Sequence, residues 1–321
     1  MDLHSSPTSL PNDTVISGSV RGGHYEFPLR VQTRVHMLTG RVQSYGIRLG
    51  GHVHSIIDDD VCIFLTITAP PPPMQPEDAL LPRYGRDDEH KVASIVHIHY
   101  NECCAAGRTL HKGGGTAVML RAACTYAVRV FPWVTSFNLS DKSYFAIADG
   151  LHVPLPSYSL CTSGATWYER EFGAHLRGVA THQEYRSLVE WTLQNPKAKI
   201  QMGSTVAELC SKAGVQVPDL DCCCLETCYA SAPTLKEFFC VLKEACPREE
   251  FCRLVQRWVD NLMKKWLRGM HHKEWMVPVD SFLTNDIEVG HSSTGAHRGD
   301  WDVVNPIFMG MMILHPIEDA D

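Results

Sequence analysis

The chain has 321 residues and a mass of 35.9 kDa, enough for roughly two domains at about 150 residues each. Hydrophobic residues make up 44% and charged residues 20%, a balance that buries a core and excludes a chain disordered throughout. Lys and Arg number 29 against 36 Asp and Glu, a net charge of −7 with a pI near 6.2, which disfavours a general nucleic-acid coat.

No stretch approaches the roughly 18 apolar residues of a spanning helix, so no membrane span is expected. The start, Met1 to Thr14, is polar and has no apolar run, so no signal peptide is expected. The 13 cysteines then read as reduced thiols in the cytosol or nucleus. The 17 histidines are scattered and form no metal motif by count alone.

Residues 1–22 read as a disordered tail ending in the turn-like Arg21-Gly22-Gly23. Tyr25 to His36 alternates as a strand, and Val61 to Thr68 is the continuous β-branched run of a buried one. Pro70 to Pro73 stop it, and 71–90 is rich in Pro, Asp and Glu, a long surface loop. Val92 to Tyr100 is the next strand. After Gly113-Gly-Gly115 a helix runs from Thr116 to Val130, with Met119, Ala123, Tyr126 and Val130 on one face. Val134 to Leu139 reads as a strand, followed by a loop of about 20 residues and a short helix from Ala165 to Leu176.

Beyond residue 180 the periodicity is helical, over 183–194, 204–213, 234–245 and 247–268. Pro247 at a first helical position, with Glu249 and Glu250 in the first turn, suits the last of these. Residues 180–270 are expected to form a mainly helical subdomain packed through Trp191, Leu209, Phe238, Phe239, Trp258 and Leu262. A late apolar run, Ile307 to Leu314, reads as a strand. The fold class is α/β (α+β): a mixed central sheet with flanking helices and a helical C-terminal part, divided as a tail 1–22, a core 23–178 and an accessory region 179–321.

The segment Lys112-Gly-Gly-Gly-Thr-Ala117 carries the functional reading. A strand runs into a glycine turn, which runs into an amphipathic helix, and amides at such a helix start hold an anion such as a pyrophosphate. The Walker pattern fails, because Gly115 is followed by Thr116-Ala117 instead of Lys-Ser/Thr. The dinucleotide fingerprint fails as well, because its third glycine falls on Val118.

Lys112 to Ala117 resembles the Q/R-x-x-G-x-G/A loop of the GNAT acyltransferases, with Lys in the first position. Further on, Ala165-Thr-Trp-Tyr168-Glu-Arg-Glu-Phe172-Gly173 resembles that family's second signature, Tyr-x-x-x-Gly-Phe, with the last pair inverted. The combination looks most like the divergent GNAT-like proteins of large DNA viruses and some protists, over residues 60 to 178. The resemblance implies a GNAT-like mixed sheet that binds the pyrophosphate of acetyl-CoA at Lys112, Gly113, Gly114, Gly115, Thr116 and Ala117. It implies attack of an amine acceptor, a small molecule or a protein, on the thioester without an acyl-enzyme. Tyr168 would protonate the departing thiolate, and Glu102, His99 and His97 are the candidate bases. No metal cofactor and no nucleic-acid partner is expected. The alternative is a non-catalytic relative in which the same core serves as a binding or structural scaffold.

Cys222-Cys-Cys-Leu-Glu-Thr-Cys228, with Cys210, Cys240, Cys246 and Cys252, lacks paired zinc-ligand spacing, so buried thiols are the expectation. Cys103 or Cys104 with a nearby histidine is a conceivable nucleophile without an orienting residue. The basic face of 247–268, followed by His271-His272-Lys273, reads as a solvated helix face, with an acidic partner, membrane surface or nucleic acid as the alternative. Asp58-Asp-Asp60 reads as a charged turn.

Overall fold

The computed structural model describes residues 15–36, 39, 41–51, 61–70, 91–98, 104–106, 109–110, 114–141, 144–146, 152–214, 225–254, 259–283 and 287–290. It is a mixed α/β structure in two compact units, one of residues 1–138 with 278–321 and one of residues 139–277.

The first unit is built on an antiparallel meander. Strands β1 (Val15–Gly22), β2 (Tyr25–Val35), β3 (Val42–Gly51), β4 (Val61–Thr68) and β5 (Val92–Ile98) follow one another in space as in sequence. Gly22 faces Tyr25 in the β1–β2 register, so the connecting turn is tight, and Gly23 takes a φ of +56° there. Residues 15–22, expected as tail, are thus a strand. Pairing with β2 on one side and with β11 (Ile287–Gly290) on the other overrides their Ser/Gly composition.

β2 buries alternate residues Phe27, Leu29 and Val31, the period of a strand with one covered face. β4 buries Val61 through Leu65 without a break, as its β-branched run predicts for a strand covered on both faces. Helix α1 (Gly114–Val130) packs against β1, β3, β4 and β11 and buries Met119, Leu120, Ala123, Tyr126 and Val130. At its end Phe131 and Trp133 gather on Tyr45, with ring centroids 4.6 and 6.2 Å away. β6 (Ser136–Ser140) then lies beside β5. The amide of Thr135 donates to the carbonyl of Lys91, which sets the two strand starts side by side, so β5 and β6 run parallel with α1 as their crossover.

Cys62 of β4 and Cys104 form a disulfide. This corrects the expectation that every cysteine is a thiol and removes Cys104 as a nucleophile. The partners are 42 residues apart, and no spacing rule joins them.

The second unit is mainly helical. Strands β7 (Tyr144–Ala146) and β8 (His152–Pro154) form a hairpin that leads into α2 (Leu155–Ser163) and α3 (Trp167–Phe172). β9 (His175–Leu176) pairs with β10 (Glu274–Pro278). Between them come α4 (Val179–Val189), which runs on as a π-turn over Glu190–Gln194, then α5 (Pro196–Met202), α6 (Val206–Ala213), α7 (Leu225–Ser231) and α8 (Leu235–Ala245). α9 (Arg248–Leu254) and α10 (Asp260–Trp266) complete the set.

Three of these helices begin on the same device. Thr166, Thr205 and Thr234 each accept a hydrogen bond from the amide of the Glu three residues on, Glu169, Glu208 and Glu237. Gly164, Gly173 and Gly214 close helices in the left-handed conformation.

The division falls after residue 138 rather than at the expected 178. α2 and α3 belong with the helical unit, where Arg186 donates to the carbonyl of Gly164 and the thiol of Cys240 to that of Thr162. The expected helix 165–176 stops at Gly173, and its last residues form β9. The expected 20-residue loop after Leu139 contains β7, β8 and the start of α2. Leu209, Phe238, Phe239 and Leu262 are buried as expected, but Trp191 is 37% exposed. Trp258, the loop 71–90 and the run 307–314 lie outside the described residues.

Gly50 of β3 sits over the disulfide with φ +76°. A Cβ there would come 2.8 Å from the Cys104 carbonyl oxygen and 3.1 Å from Cys62 Cβ. Gly50→Ala therefore combines a strained backbone with a backbone clash. It should lower unfolding free energy by more than about 1 kcal/mol in denaturant titrations, while Gly23→Ala, with nothing near its Cβ, should cost less.

Candidate functional site

The glycine turn enters α1 at its first residues. Gly114 is exposed, with nothing within 4 Å of the position its Cβ would take. Gly115 is buried, and its Cβ would lie 2.6 Å from Leu110 Cδ1 and 2.7 Å from Leu110 Cγ, so it is a glycine because Leu110 occupies its side. Neither has a positive φ. Thr116 is half-buried and Ala117 buried, and the first turn carries no acidic residue. The first turn thus offers an exposed glycine and no acidic side chain, an arrangement that suits an anion. Lys112, Gly113, His99 and Glu102 lie outside the described residues, as does the side chain of His97.

The second expected signature has a local structural meaning. Thr166 and Glu169 form a complete capping box, and Gly173 ends the helix at φ +58°. Glu169 also accepts hydrogen bonds from Tyr185 Oη at 3.0 Å and Arg186 at 3.1 Å. Tyr168 is only 6% exposed and packs edge-on to Trp167. Burial first, and then the charge of Asp141, push its hydroxyl pKa well up, so it keeps its proton at neutral pH. Tyr168 belongs to the helical unit, and the glycine turn belongs to the other.

The helical unit holds a polar cluster absent from the expectations. Asp260, the first residue of α10, receives the Ser157 hydroxyl of α2 on Oδ1 at 2.8 Å and Lys264 on Oδ2. His271 and His272 share a 3₁₀ turn, and both present Nε2 to that same Oδ1, at 4.0 and 3.4 Å. His271 is fully buried, with Nε2 3.3 Å from Ser157 Oγ and Nδ1 without a hydrogen-bond partner. Serine, histidine and aspartate meet here, but not as a hydrolytic triad. That triad places Ser and Asp on opposite ring nitrogens, whereas here both lie on the Nε2 side.

Burial alone would raise the Asp260 carboxyl. The polar groups around it, His271, His272, Lys264 and Ser157, outweigh burial and hold it well below the usual carboxylate range. Burial lowers His271 despite the pull of Asp260, so the ring is neutral at neutral pH. Asp260, Lys264 and His272 open onto a cavity of about 310 Å³ whose wall also carries Asp141, Tyr144 and His152. Asp260, His271 and His272 are the described residues that could hold a metal ion. Cys210, Cys228, Cys246 and Cys252 are buried thiols, and Cys222 to Cys224 lie outside the described residues.

No helix among the described residues is long and apolar enough to cross a membrane. Comparison with protein-family models, curated proteins and solved structures gives no match to this chain.

These environments set an acid limit on stability. A histidine lowered in the folded state binds its proton more readily when unfolded, so stability rises with pH through its ordinary value of 6.5 and is lost below it. His182, lowered mainly by burial, acts in the same sense. Asp260, held below its ordinary 3.8, extends the loss to lower pH. The melting temperature should fall between about pH 7 and about pH 5, and the fall should be smaller in His271→Gln, which takes up no proton in that range.

Proposed function

We propose that the chain is an acyl-CoA-dependent N-acyltransferase that moves an acetyl group from acetyl-CoA to an amine acceptor. The observation that carries this reading is the β5–α1–β6 unit, in which a helix that opens on glycines crosses between two parallel neighbours. In parallel units ligands are held outside the carboxyl ends of the strands, where α1 begins. The bare first turn, with an exposed Gly114 and no acidic side chain, fits a pyrophosphate. The resemblance of Lys112 to Ala117 to the GNAT loop adds the nature of the ligand. In this reading the amine nitrogen bonds to the acyl carbon as the C–S bond breaks. The ammonium loses its proton to a base, for which Glu102 and His99 are the candidates, and the thiolate leaves and is protonated.

One observation favours the second reading, a non-catalytic binding protein with the same core. Tyr168, the acid the resemblance implies, is almost wholly buried. Turnover separates the two: binding of acetyl-CoA without acetylation of any amine supports the scaffold.

Acetyl-CoA should raise the melting temperature of the full chain, because a ligand that binds only the folded state stabilises it. Gly114→Glu should fold normally, since nothing crowds its Cβ, and should abolish the shift by placing a negative charge at the turn. Gly115→Ala should lower the melting temperature even without ligand, through its clash with Leu110. No shift in the wild type, with the fold intact, would contradict the proposal.

A further inference from the structure

The geometry points to a metal site of the zinc type in the helical unit, formed by Asp260 Oδ1 and the imidazoles of His271 and His272, with one position open to the adjoining cavity. Nothing in the acyltransferase reading requires it, and it stands on three independent features.

The first is convergence. Each residue offers one ligand atom, and the three atoms lie within 4.8 Å of one another. A tetrahedral ion with bonds of about 2.0–2.2 Å spaces its ligands about 3.4 Å apart. His272 Nε2 already stands 3.4 Å from Asp260 Oδ1, and His271 Nε2, at 4.0 Å, is about half an ångström beyond that spacing.

The second is orientation. Lys264 donates to Asp260 Oδ2 and the Ser157 hydroxyl to Oδ1, bonds that fix the carboxylate facing the two imidazoles and are of the kind that orients a ligand, and an ion on Oδ1 would share that oxygen with Ser157.

The third is access. His271 is sealed from solvent, but His272 and Asp260 line the cavity of about 310 Å³. An ion there has two histidines and one carboxylate from the protein and a fourth position for water or a ligand. That is the open shell of a catalytic zinc site, not the closed shell of a structural one.

The test uses the full chain freed of metal by a chelator, titrated with Zn²⁺ by calorimetry and with Co²⁺ by visible absorption. One ion per chain is expected, with a cobalt spectrum lacking the sulfur charge-transfer band that cysteine ligation gives. Losing an outer-shell partner costs about 10–100-fold in metal affinity, so His272→Ala should weaken binding by more than about tenfold. His272 is 36% exposed at its side chain, so this variant should remain folded without metal, with a melting temperature lowered only modestly, even if Asp260→Asn or His271→Ala fails to fold. Cys228→Ser should bind as the wild type does. The proposal is overturned if the folded wild type takes up no stoichiometric ion. It is equally overturned if binding survives His272→Ala but is lost on cysteine substitution.

Discussion

Helix α1 must lie flat against the sheet of the first unit, and the local sequence of that unit is shaped by this fit. Alanines at 117, 122, 123 and 127 let the helix approach closely, while Met119, Leu120 and Tyr126 fill the space between. The same constraint reaches the glycine turn. Gly115 lacks a side chain because Leu110 occupies that volume, whereas Gly114 faces open space. Two adjacent glycines in one motif thus differ: Gly115 answers to packing, and Gly114 has room for a side chain. A substitution at Gly115 cannot separate ligand binding from stability, but one at Gly114 can.

The helical unit depends on a different kind of constraint, the satisfaction of a buried charge. Asp260 opens α10, where an acidic residue suits the helix dipole, and it is held by groups from α2, α10 and the 3₁₀ turn. An uncompensated carboxylate in that setting would be costly, so each partner is tied to the others. The cluster fixes where three elements meet, and it gathers ligand atoms on one oxygen.

Much of the fold is legible in the sequence wherever a single period dominates. The β-branched run of β4 and the amphipathic pattern of α1 and α8 match their elements closely. β1 and β3 are not legible in this way. Ser17-Gly18-Ser19 and Gln43-Ser44 carry little strand preference, and these segments are strands because neighbours on both sides pair with them. α2 is hidden by Pro154 and Pro156, which look like loop residues but stand where a helix start tolerates proline. Thr166-Trp-Tyr-Glu169 read as a family signature is also a capping box, and the same Thr-x-x-Glu spacing recurs at Thr205 and Thr234. The disulfide and the Asp260 cluster lie beyond pattern reading, since each joins residues from separate elements with no characteristic spacing. The adjacent histidines His271-His272 are visible in the sequence, but only the fold supplies the carboxylate between them.

The central claim is that the amides at the start of α1 hold the diphosphate of an acyl-CoA. Amide hydrogen exchange of the full chain with and without CoA tests it most directly. The account predicts slowed exchange concentrated at Gly114 to Ala117, where the ligand would take up backbone donors that no helical partner satisfies. Unchanged exchange at those amides, or protection confined to other parts of the chain, would contradict it.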